Sequence, residues 1–250
     1  MEEALMRLAG IPVRFLCYSE KTIRYLKRYF PEDIPPETEA DITIDARNLS
    51  IDQASMNEVL ERPYSEYCEL IALASDSLMK TGRCFYHGAV FVWKEMAWML
   101  TAPSGTGKST QFRNLSEFYG EEIFCLNGDK PALEFRPDGK IMVHDSPWRG
   151  KEGWGRFGTS YPLAGVFYLG QGDHNEVKQL PFKTWVIPIY CQFFSSRATK
   201  ECLRYLAGFE RSLMENVPIY FLINKGDMES SELLYRTMEQ LFLQARGVND

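Results

Sequence analysis

The spacing of hydrophobic residues along the chain predicts short strands that alternate with helices. Two apolar runs, Ala89–Trp93 and Met96–Thr101, flank the polar pair Lys94-Glu95, and this arrangement predicts a buried β-hairpin. Other short apolar segments predict further strands, at 122–126, 132–135, 140–143, 163–169 and 219–223. Some of these strands follow one another through tight turns and others through longer helical connections. The pattern therefore predicts an α/β fold with a mixed sheet.

Helices are predicted where apolar residues recur at every third or fourth position. Segment 108–119 places Phe112, Leu115 and Phe118 on one side, and Gly120 directly after it favours a helix end. The same spacing predicts two later helices, at 198–215 and 229–245.

The N-terminal third of the chain shows a different pattern, which predicts a small α+β lobe. In chain order its segments are an apolar run, a helix, a proline-rich turn and an alternating strand, at 14–17, 22–30, 31–37 and 40–44. The stretch 56–80 has spaced apolar residues and no glycine, which favours a helix that bridges the lobe to the rest of the chain. We therefore predict two units, the lobe with its bridging helix at 1–82 and a larger sheet domain at 83–250.

Composition and charge exclude several classes of protein. Of the 250 residues, 45% are hydrophobic and 25% are charged, values typical of folded globular chains. Lys and Arg number 28 against 34 Asp and Glu, a net charge of −6 without a basic stripe, so we expect no nucleic-acid partner. No apolar run reaches the ~18 residues of a membrane span, and the first residues are acidic, so we expect no membrane association, no secretory signal and a cytoplasmic location. A homo-oligomer remains open.

A glycine-rich segment joins the predicted hairpin to the helix at 108–119. It reads Ala102-Pro103-Ser104-Gly105-Thr106-Gly107-Lys108-Ser109-Thr110 and has the residue types of a Walker A phosphate-binding loop, in the strand-loop-helix context that such loops require. The general pattern has glycine at the position of Ala102. Because alanine demands an ordinary backbone conformation, we expect a less tightly turned loop entry.

The residue types of this loop match the chemistry of phosphate binding. Gly105 and Gly107 permit backbone angles that turn successive N–H groups toward an anion, and the helix N-terminus adds its partial positive charge. Lys108 is expected to be a catalytic residue that reaches the β- and γ-phosphates of a nucleotide, and Ser109 offers its hydroxyl to Mg²⁺. The predicted nucleotide-binding residues are Ser104, Gly105, Thr106, Gly107, Lys108, Ser109 and Thr110.

A second ligand for Mg²⁺ is predicted at Asp129. This acid follows an apolar strand and the pair Asn127-Gly128, and an acid at the end of a buried strand can hold the metal ion directly or through water. The alternative is that Asp129 caps the turn that leads into Pro131. The neighbouring Lys130 is interpreted as a solvated side chain.

The loop residues 104–110, preceded by His87-Gly88 at the start of the predicted hairpin, resemble the catalytic domain of the HPr kinase/phosphorylase family and, more distantly, the phosphoenolpyruvate carboxykinases. The pair Arg149-Gly150 looks like a variant of the Arg-Gly signature of that kinase family. The resemblance covers about residues 83–225. Residues 1–80 do not resemble the N-terminal domain of the bifunctional enzyme, which argues against HPr itself as the acceptor.

The resemblance implies an ATP-dependent serine kinase that uses Mg²⁺, with a sheet of the HPr kinase type and with His87 near the phosphates. It also implies two adjacent acids, one for the metal ion and one as the base that takes the serine proton. This chain has Gly128 where the first acid would stand. The base is therefore left open among Asp129, His87 and Asp145.

Residues 148–154 form a second region of interest. Arg149 and Lys151 are candidates for clamping phosphate oxygens, which would make Arg149 catalytic, and the alternative is a solvated basic loop. Trp148 and Trp154 either cover an adenine or an acceptor peptide, or pack in the core.

Two functions of different classes follow from these residues. The first is a kinase that transfers the γ-phosphate of ATP to a hydroxyl, on a serine of a protein or peptide or on free serine. The second is an ATP-binding module that has lost transfer and controls a partner protein, which Gly128 favours and the presence of Lys108, Ser109 and Asp129 opposes. A third, decarboxylation in the carboxykinase manner, lacks an evident Mn²⁺ set of His, Lys and Asp.

Overall fold

Two β-sheets carry the fold of the protein, whose structure is a computed structural model. The structure describes residues 2–30, 34–35, 37–47, 62–195, 199–245 and 247. Parts of three predicted segments lie outside the described residues, at 31–33 and 36 in the proline-rich turn, at 56–61 in the bridging helix, and at 198. In the part of the chain that is described, no helix is both long and apolar enough to cross a membrane.

The N-terminal sheet has three strands. β1 (Glu2–Leu8) and β2 (Ile11–Cys17) form an antiparallel hairpin, and β3 (Ile42–Asp45) lies parallel to β2. Ala9 and Gly10, between β1 and β2, both adopt positive φ, 48° and 84°. Positive φ at both positions gives the two-residue turn whose twist suits a hairpin.

Strand β1 was missed by the sequence analysis, which predicted only an apolar run at 14–17 in this region. The strand begins with two glutamates and then buries Ala4, Leu5 and Met6 in succession, so its pattern does not alternate. Two helices, α1 (Glu20–Lys27) and α2 (Arg62–Met79), pack against this sheet and against each other. Sheet and helices form the predicted α+β arrangement.

The lobe and the larger sheet share one hydrophobic cluster. Three buried residues from beyond position 82 pack among the side chains of α1, α2 and the N-terminal sheet, namely Phe85, Ala132 and Trp148. Arg83 Nε donates to the Ala9 carbonyl at 2.8 Å, and the Tyr67 hydroxyl donates to the Pro147 carbonyl at 3.2 Å. The lobe therefore supports the segment that contains Trp148.

The larger sheet has ten strands within the described residues. They are β4 (Arg83–Tyr86), β5 (Ala89–Trp93), β6 (Met96–Thr101), β7 (Phe124–Asn127), β8 (Ala132–Phe135), β9 (Ile141–His144), β10 (Ser160–Gln171), β11 (Glu176–Lys178), β12 (Phe193–Phe194) and β13 (Ile219–Asn224). Their order is β12-β4-β8-β9-β10-β6-β5-β7, with β13 beside β10 and β11 beside β13. Strand β10 pairs in parallel with β6 and β13, whereas β5 and β6 are antiparallel. The predicted α/β fold with a mixed sheet is confirmed.

Strand β10 connects the two halves of this sheet. Residues 160–162 pair antiparallel with β9, and the rest of the strand lies between β6 and β13. The register shifts between Leu163 and Gly165, and a side chain at Gly165 would meet the Trp98 ring at 3.1 Å. Glycine therefore permits the close approach of β10 to β6.

Helices cover both faces of the larger sheet. On one face lie α3 (Lys108–Tyr119), which continues into a 3₁₀ turn at Gly120–Glu122, and α6 (Met228–Ala245). On the other face lie α4 (Phe182–Tyr190) and α5 (Lys200–Asn216). Strand β6 is buried along almost its whole length because both of its faces are covered.

The hairpin of β5 and β6 and the helices α3, α5 and α6 confirm the sequence predictions, with small shifts at the helix ends. Helix α4 was not predicted. It contains Pro188 and a run of apolar residues without helical spacing, and three of its side chains, Phe182, Val186 and Ile187, are exposed. Local sequence therefore gave no sign of this helix.

We expect the largely buried His144 to make the protein less stable in acid. Burial lowers the pKa of His144 from 6.5, and the bond between its Nε2 and Glu134 Oε2 at 2.9 Å opposes this only in part. The unfolded chain therefore binds a proton near pH 6.5 that the folded chain does not, so the free energy of unfolding falls as the pH drops below this value. His144→Gln should flatten this dependence, by at most about 1.4 kcal/mol per pH unit.

Urea unfolding at a series of pH values on both sides of 6.5 measures this effect. His174→Gln is the matched control, because His174 is exposed and its bond to Asp173 raises its pKa rather than lowering it. Equal pH dependence in the wild type and in His144→Gln would contradict the expectation.

Candidate functional site

The carboxyl ends of four strands meet at one edge of the larger sheet. Strands β6, β10 and β13 are parallel to one another, and β7 runs in the same direction because β5 is antiparallel to both β6 and β7. Residues 102–107, called the glycine loop below, leave β6 at this edge. Gln171 Nε2 at the end of β10 donates to the Gly105 carbonyl at 3.5 Å. The edge is the place where open α/β sheets generally bind ligands.

The glycine loop has the left-handed backbone that its sequence predicts. Gly105 and Gly107 have φ of 82° and 108°, and the Thr106 hydroxyl donates to the Pro103 carbonyl at 2.8 Å. A side chain added at Gly105 would meet no atom within 4 Å, so this part of the loop faces open space. Helix α3 begins directly after Gly107, so its N-terminal N–H groups and their partial positive charge lie at the loop.

Ala102 has a structural role at the entry to the loop. Its side chain is fully buried in the cluster that α3 and α6 form with the sheet. Where the general pattern has glycine, this chain uses a methyl group to fill the core under the loop.

Lys108, the first residue of α3, folds back over the loop. Its Nζ donates to the Ala102 carbonyl at 2.8 Å and to the Pro103 carbonyl at 3.3 Å. Burial lowers the pKa of Lys108, Lys130 lowers it further, and Asp129 opposes the shift. The ammonium group is thus held at the loop, where the charges of Asp129 and Lys130, just after β7, act on it.

Asp129 lies between two basic side chains. Lys130 Nζ contacts Asp129 Oδ2 at 2.7 Å, and His87 Nε2 lies 3.6 Å from Asp129 Oδ1. The main chain fixes the same arrangement, because the N–H of Gly88 donates to the Asp129 carbonyl at 2.9 Å. The structure therefore brings together Lys108, Asp129 and His87, three of the four residues that the sequence analysis proposed as catalytic. It adds Lys130, which had been interpreted as solvated.

Gln192, which follows α4, orients His87. Its side-chain Oε1 lies 3.0 Å from His87 Nδ1, and its carbonyl accepts from the His87 N–H at 2.7 Å. Burial, with Lys108 adding to it, lowers the pKa of His87. The sequence offered no signal for Gln192, because it reaches the site from the end of an unpredicted helix.

Asn127 shapes the turn that presents Asp129. Its Oδ1 accepts from the N–H groups of Asp129 and Lys130 at 2.9 and 2.8 Å, and its Nδ2 donates to Asp145 Oδ1 at 2.8 Å. The side chain of Asn127 is fully buried. The capping role that the sequence analysis left open for Asp129 therefore belongs to Asn127, and an Asn directly after a buried strand is a recognisable signal for such a turn.

The segment 148–155 occupies the space beside Gly128. The Gly128 N–H donates to the Trp154 carbonyl at 3.0 Å, and a side chain at Gly128 would meet the Arg149 carbonyl at 3.1 Å. A side chain at Gly150 would likewise meet the Cβ of Asp129 at 3.0 Å. Gly128 has no side chain, and segment 148–155 packs closely against the turn at this position.

Restoring the acid by Gly128→Asp should destabilise the fold. We expect the free energy of unfolding to fall by about 1–3 kcal/mol, because the new side chain must displace main-chain atoms of segment 148–155. Gly128→Ala, which adds the crowded Cβ without a charge, should show a smaller loss of the same sign. Urea unfolding measures both changes. A Gly128→Asp variant as stable as the wild type would show that segment 148–155 can move aside at no cost in stability, contrary to this expectation.

The guanidinium of Arg149 is bonded to Asp145 and to the Tyr29 carbonyl rather than to a residue of the glycine loop. Arg149 is buried, forms an ion pair with Asp145, and lies 4.8 Å from the centre of the Tyr29 ring. Burial raises the pKa of Asp145, and the bond from Arg149 opposes this. Neither side chain is brought to Lys108. The solvated basic loop that the sequence analysis considered therefore describes only Lys151, which is exposed.

The two tryptophans of this region differ in their surroundings. Trp148 is 4% exposed and packs edge-on against Phe15 and Phe85, so it is part of the core. Trp154 is half-buried and packs against Phe112 of α3 at 5.1 Å. Trp154 lines a groove of about 760 Å³ next to α3.

The oxygen atoms at this edge suit Mg²⁺. The Ser109 hydroxyl lies in the first turn of α3, and the Asp129 carboxylate stands at the end of β7. Within the described residues there is no group of three or more His, Cys, Asp or Glu arranged around one point. Such a site resembles the usual protein environment of Mg²⁺, which takes few protein ligands and keeps phosphate oxygens and water.

Comparison with known proteins gives a distant structural likeness. No family model matches the chain, and no curated protein matches it. The HPr(Ser) kinase/phosphatase from Coxiella burnetii has 11% sequence identity to this chain, and the match covers 65% of this chain and 93% of that one with a TM-score of 0.38. These values show no sequence family.

Proposed function

We propose that the protein is an ATP-dependent phosphotransferase that moves the γ-phosphate to a hydroxyl group, on a serine of a protein or peptide or on free serine. The observation that carries this proposal is the convergence of Lys108, His87 and Asp129 beside the glycine loop. The loop, the first turn of α3 and a lysine form an anion site. A carboxylate and an imidazole beside that site are groups that can take a proton.

Each part of the nucleotide has residues that suit it. The N–H groups of the glycine loop and of the first turn of α3 would hold the phosphates, and Lys108 would exchange its bonds to loop carbonyls for bonds to the β- and γ-phosphates. Ser109 and Asp129 would hold Mg²⁺. When bound, this ion would neutralise charge that develops on the phosphate oxygens.

The transfer step forms one bond and breaks one bond. The acceptor oxygen bonds to the γ-phosphorus, the bond from that phosphorus to the bridging oxygen breaks, and ADP leaves. The hydroxyl proton passes to Asp129 or to His87. With Nδ1 protonated and donating to Gln192, His87 Nε2 carries the free lone pair beside Asp129, and its lowered pKa keeps it neutral near pH 7.

A second candidate function is an ATP-binding module that controls a partner protein without transferring phosphate. The packing of segment 148–155 against Gly128 favours it, because no second carboxylate stands beside Asp129 at this position. The two candidates share the nucleotide site and differ only in whether phosphate leaves ATP.

Phosphorus NMR of Mg-ATP with the full chain separates these functions. The acceptor is free serine in one sample. In a second sample it is a protein extract of the cells in which this protein naturally occurs. We expect a new phosphomonoester signal with the wild type and with the control Asp173→Asn, whose side chain is 99% exposed, and none with Asp129→Asn. ATP binding without any new signal would favour the regulatory module. Absence of ATP binding would refute both functions.

A further inference from the structure

The site contains more positive charge than its single carboxylate can balance. Lys108 and Lys130 both lie near Asp129, and His87 approaches it from the other side. Two ammonium groups and one carboxylate give the site beside the glycine loop an excess of positive charge. Like charges that act on each other repel unless an anion lies between them, so the arrangement favours a ligand with several negative charges.

The positive charge of Lys130 acts on Lys108 and on His87. Burial is the main cause of the lowered pKa of both Lys108 and His87, and the Lys130 ammonium lowers each of them further. The side chain of Lys130 is three-quarters buried, in contrast to that of Lys140, which is 69% exposed beside Asp138. Lys130 is thus a partly buried cation at the site rather than a solvated surface residue.

Buried polar groups fix the main chain of Lys130. Its N–H donates to Asn127 Oδ1 at 2.8 Å and to the Trp148 carbonyl at 3.2 Å, and its carbonyl accepts from the Ser146 hydroxyl at 2.5 Å. Asn127 and Ser146 are fully buried, and both are bonded to Asp145. These bonds set the direction in which the side chains of Asp129 and Lys130 leave the turn.

We propose that Lys130 is a second phosphate-binding lysine of the site, held on Asp129 in the free protein and turned to the terminal phosphates of the bound nucleotide. This inference rests on the proposed function. Because Lys130 supplies a positive charge of its own, ATP binds without a divalent cation. Because Lys130 pairs with Asp129, it also competes with a divalent cation for that carboxylate.

Substitution of Lys130 leaves the structural bonds of the turn in place, because those bonds use only its main chain. Lys130→Met removes the charge and keeps most of the aliphatic length. Lys130→Arg keeps the charge, and Lys140→Met removes an exposed lysine elsewhere as the matched control. Thermal unfolding verifies that each variant is folded, and Lys130→Gln replaces the methionine variant if that one does not fold.

Calorimetric titration with ATP in EDTA, and again in excess Mg²⁺, tests the proposal. In EDTA we expect Lys130→Met to bind ATP at least tenfold more weakly than the wild type, with Lys130→Arg and Lys140→Met within about threefold. Titration with Mn²⁺ alone, followed by electron paramagnetic resonance, should show tighter Mn²⁺ binding in Lys130→Met, because its Asp129 has no ammonium partner.

The outcomes distinguish this inference from the proposed function on which it rests. If Lys130→Met binds ATP in EDTA within twofold of the wild type, or if the wild type binds ATP only with Mg²⁺, Lys130 serves only Asp129 and the inference is overturned while the proposed function stands. If the wild type binds ATP under neither condition, both are overturned.

Discussion

Replacement of Lys108 by methionine is expected to weaken ATP binding at least about a hundredfold and to abolish phosphoryl transfer. Lys108 Nζ is held at the glycine loop by two main-chain carbonyls, so it needs little rearrangement to reach a phosphate there. A charge-assisted bond in a partly buried site contributes about 1.5–3 kcal/mol. A hundredfold change in affinity corresponds to about 2.7 kcal/mol, so the loss of one such contact accounts for the expected effect.

The fold should survive this change. Burial disfavours the charged form of Lys108, so a methionine of similar length removes an unfavourable desolvation and keeps the apolar contacts of the stem. Calorimetric titration with Mg-ATP and thermal unfolding of the same samples measure affinity and stability together, with Lys140→Met as the control. If Lys108→Met binds ATP as the wild type does, the glycine loop is not the phosphate site.

Replacement of Arg149 by methionine is expected to reduce the free energy of unfolding by about 3–5 kcal/mol. Asp145 is 3% exposed, and the guanidinium of Arg149 is its only cationic partner in the described part of the chain. Removing one partner of a buried ion pair leaves a charge that the interior cannot solvate. This effect is larger than that of a surface pair, which contributes about 0–1 kcal/mol.

A double variant distinguishes charge from packing. Asp145→Asn combined with Arg149→Met neutralises both partners and keeps an oxygen that accepts from Asn127 and from the Ser146 N–H. We expect this variant to lose less stability than Arg149→Met alone, as measured by urea unfolding. Equal losses in the two variants would mean that the packing of Arg149 on Tyr29, rather than its charge, carries the stabilisation.

The features predicted correctly from sequence are those that neighbouring residues determine. The β5–β6 hairpin follows from two apolar runs around one polar pair, and helix α3 follows from the spacing of Phe112 and Leu115 and from Gly120 at its end. Positive φ at Gly105 and Gly107 could be expected because glycine adopts it at little energetic cost. The position of Asp129 just after a strand could likewise be expected, because an apolar segment precedes it in the sequence.

The features that were missed depend on residues far apart in the chain. Gln192 reaches His87 across 105 positions, and no local pattern indicates that contact. The surroundings of the Arg149 side chain were equally hidden, because they depend on the buried Asp145 and on Tyr29 of the N-terminal lobe. Lys130 was misinterpreted for a related reason, since a lysine in a turn is usually solvated, whereas the side chain of this one is 25% exposed and paired with Asp129.

The central position of β10 determines when the site can form during synthesis. Strand β6 leads into the glycine loop, and its parallel neighbour is β10, which is synthesised later. The other parallel neighbour of β10 is β13, which is synthesised later still. A ribosome adds about 5–20 residues per second, so the interval between β6 and β13 is on the order of ten seconds. Parallel pairs this distant in sequence also close slowly. Throughout that interval an apolar strand edge stays unpaired, and unpaired edges of this kind are prone to aggregation in a folding chain.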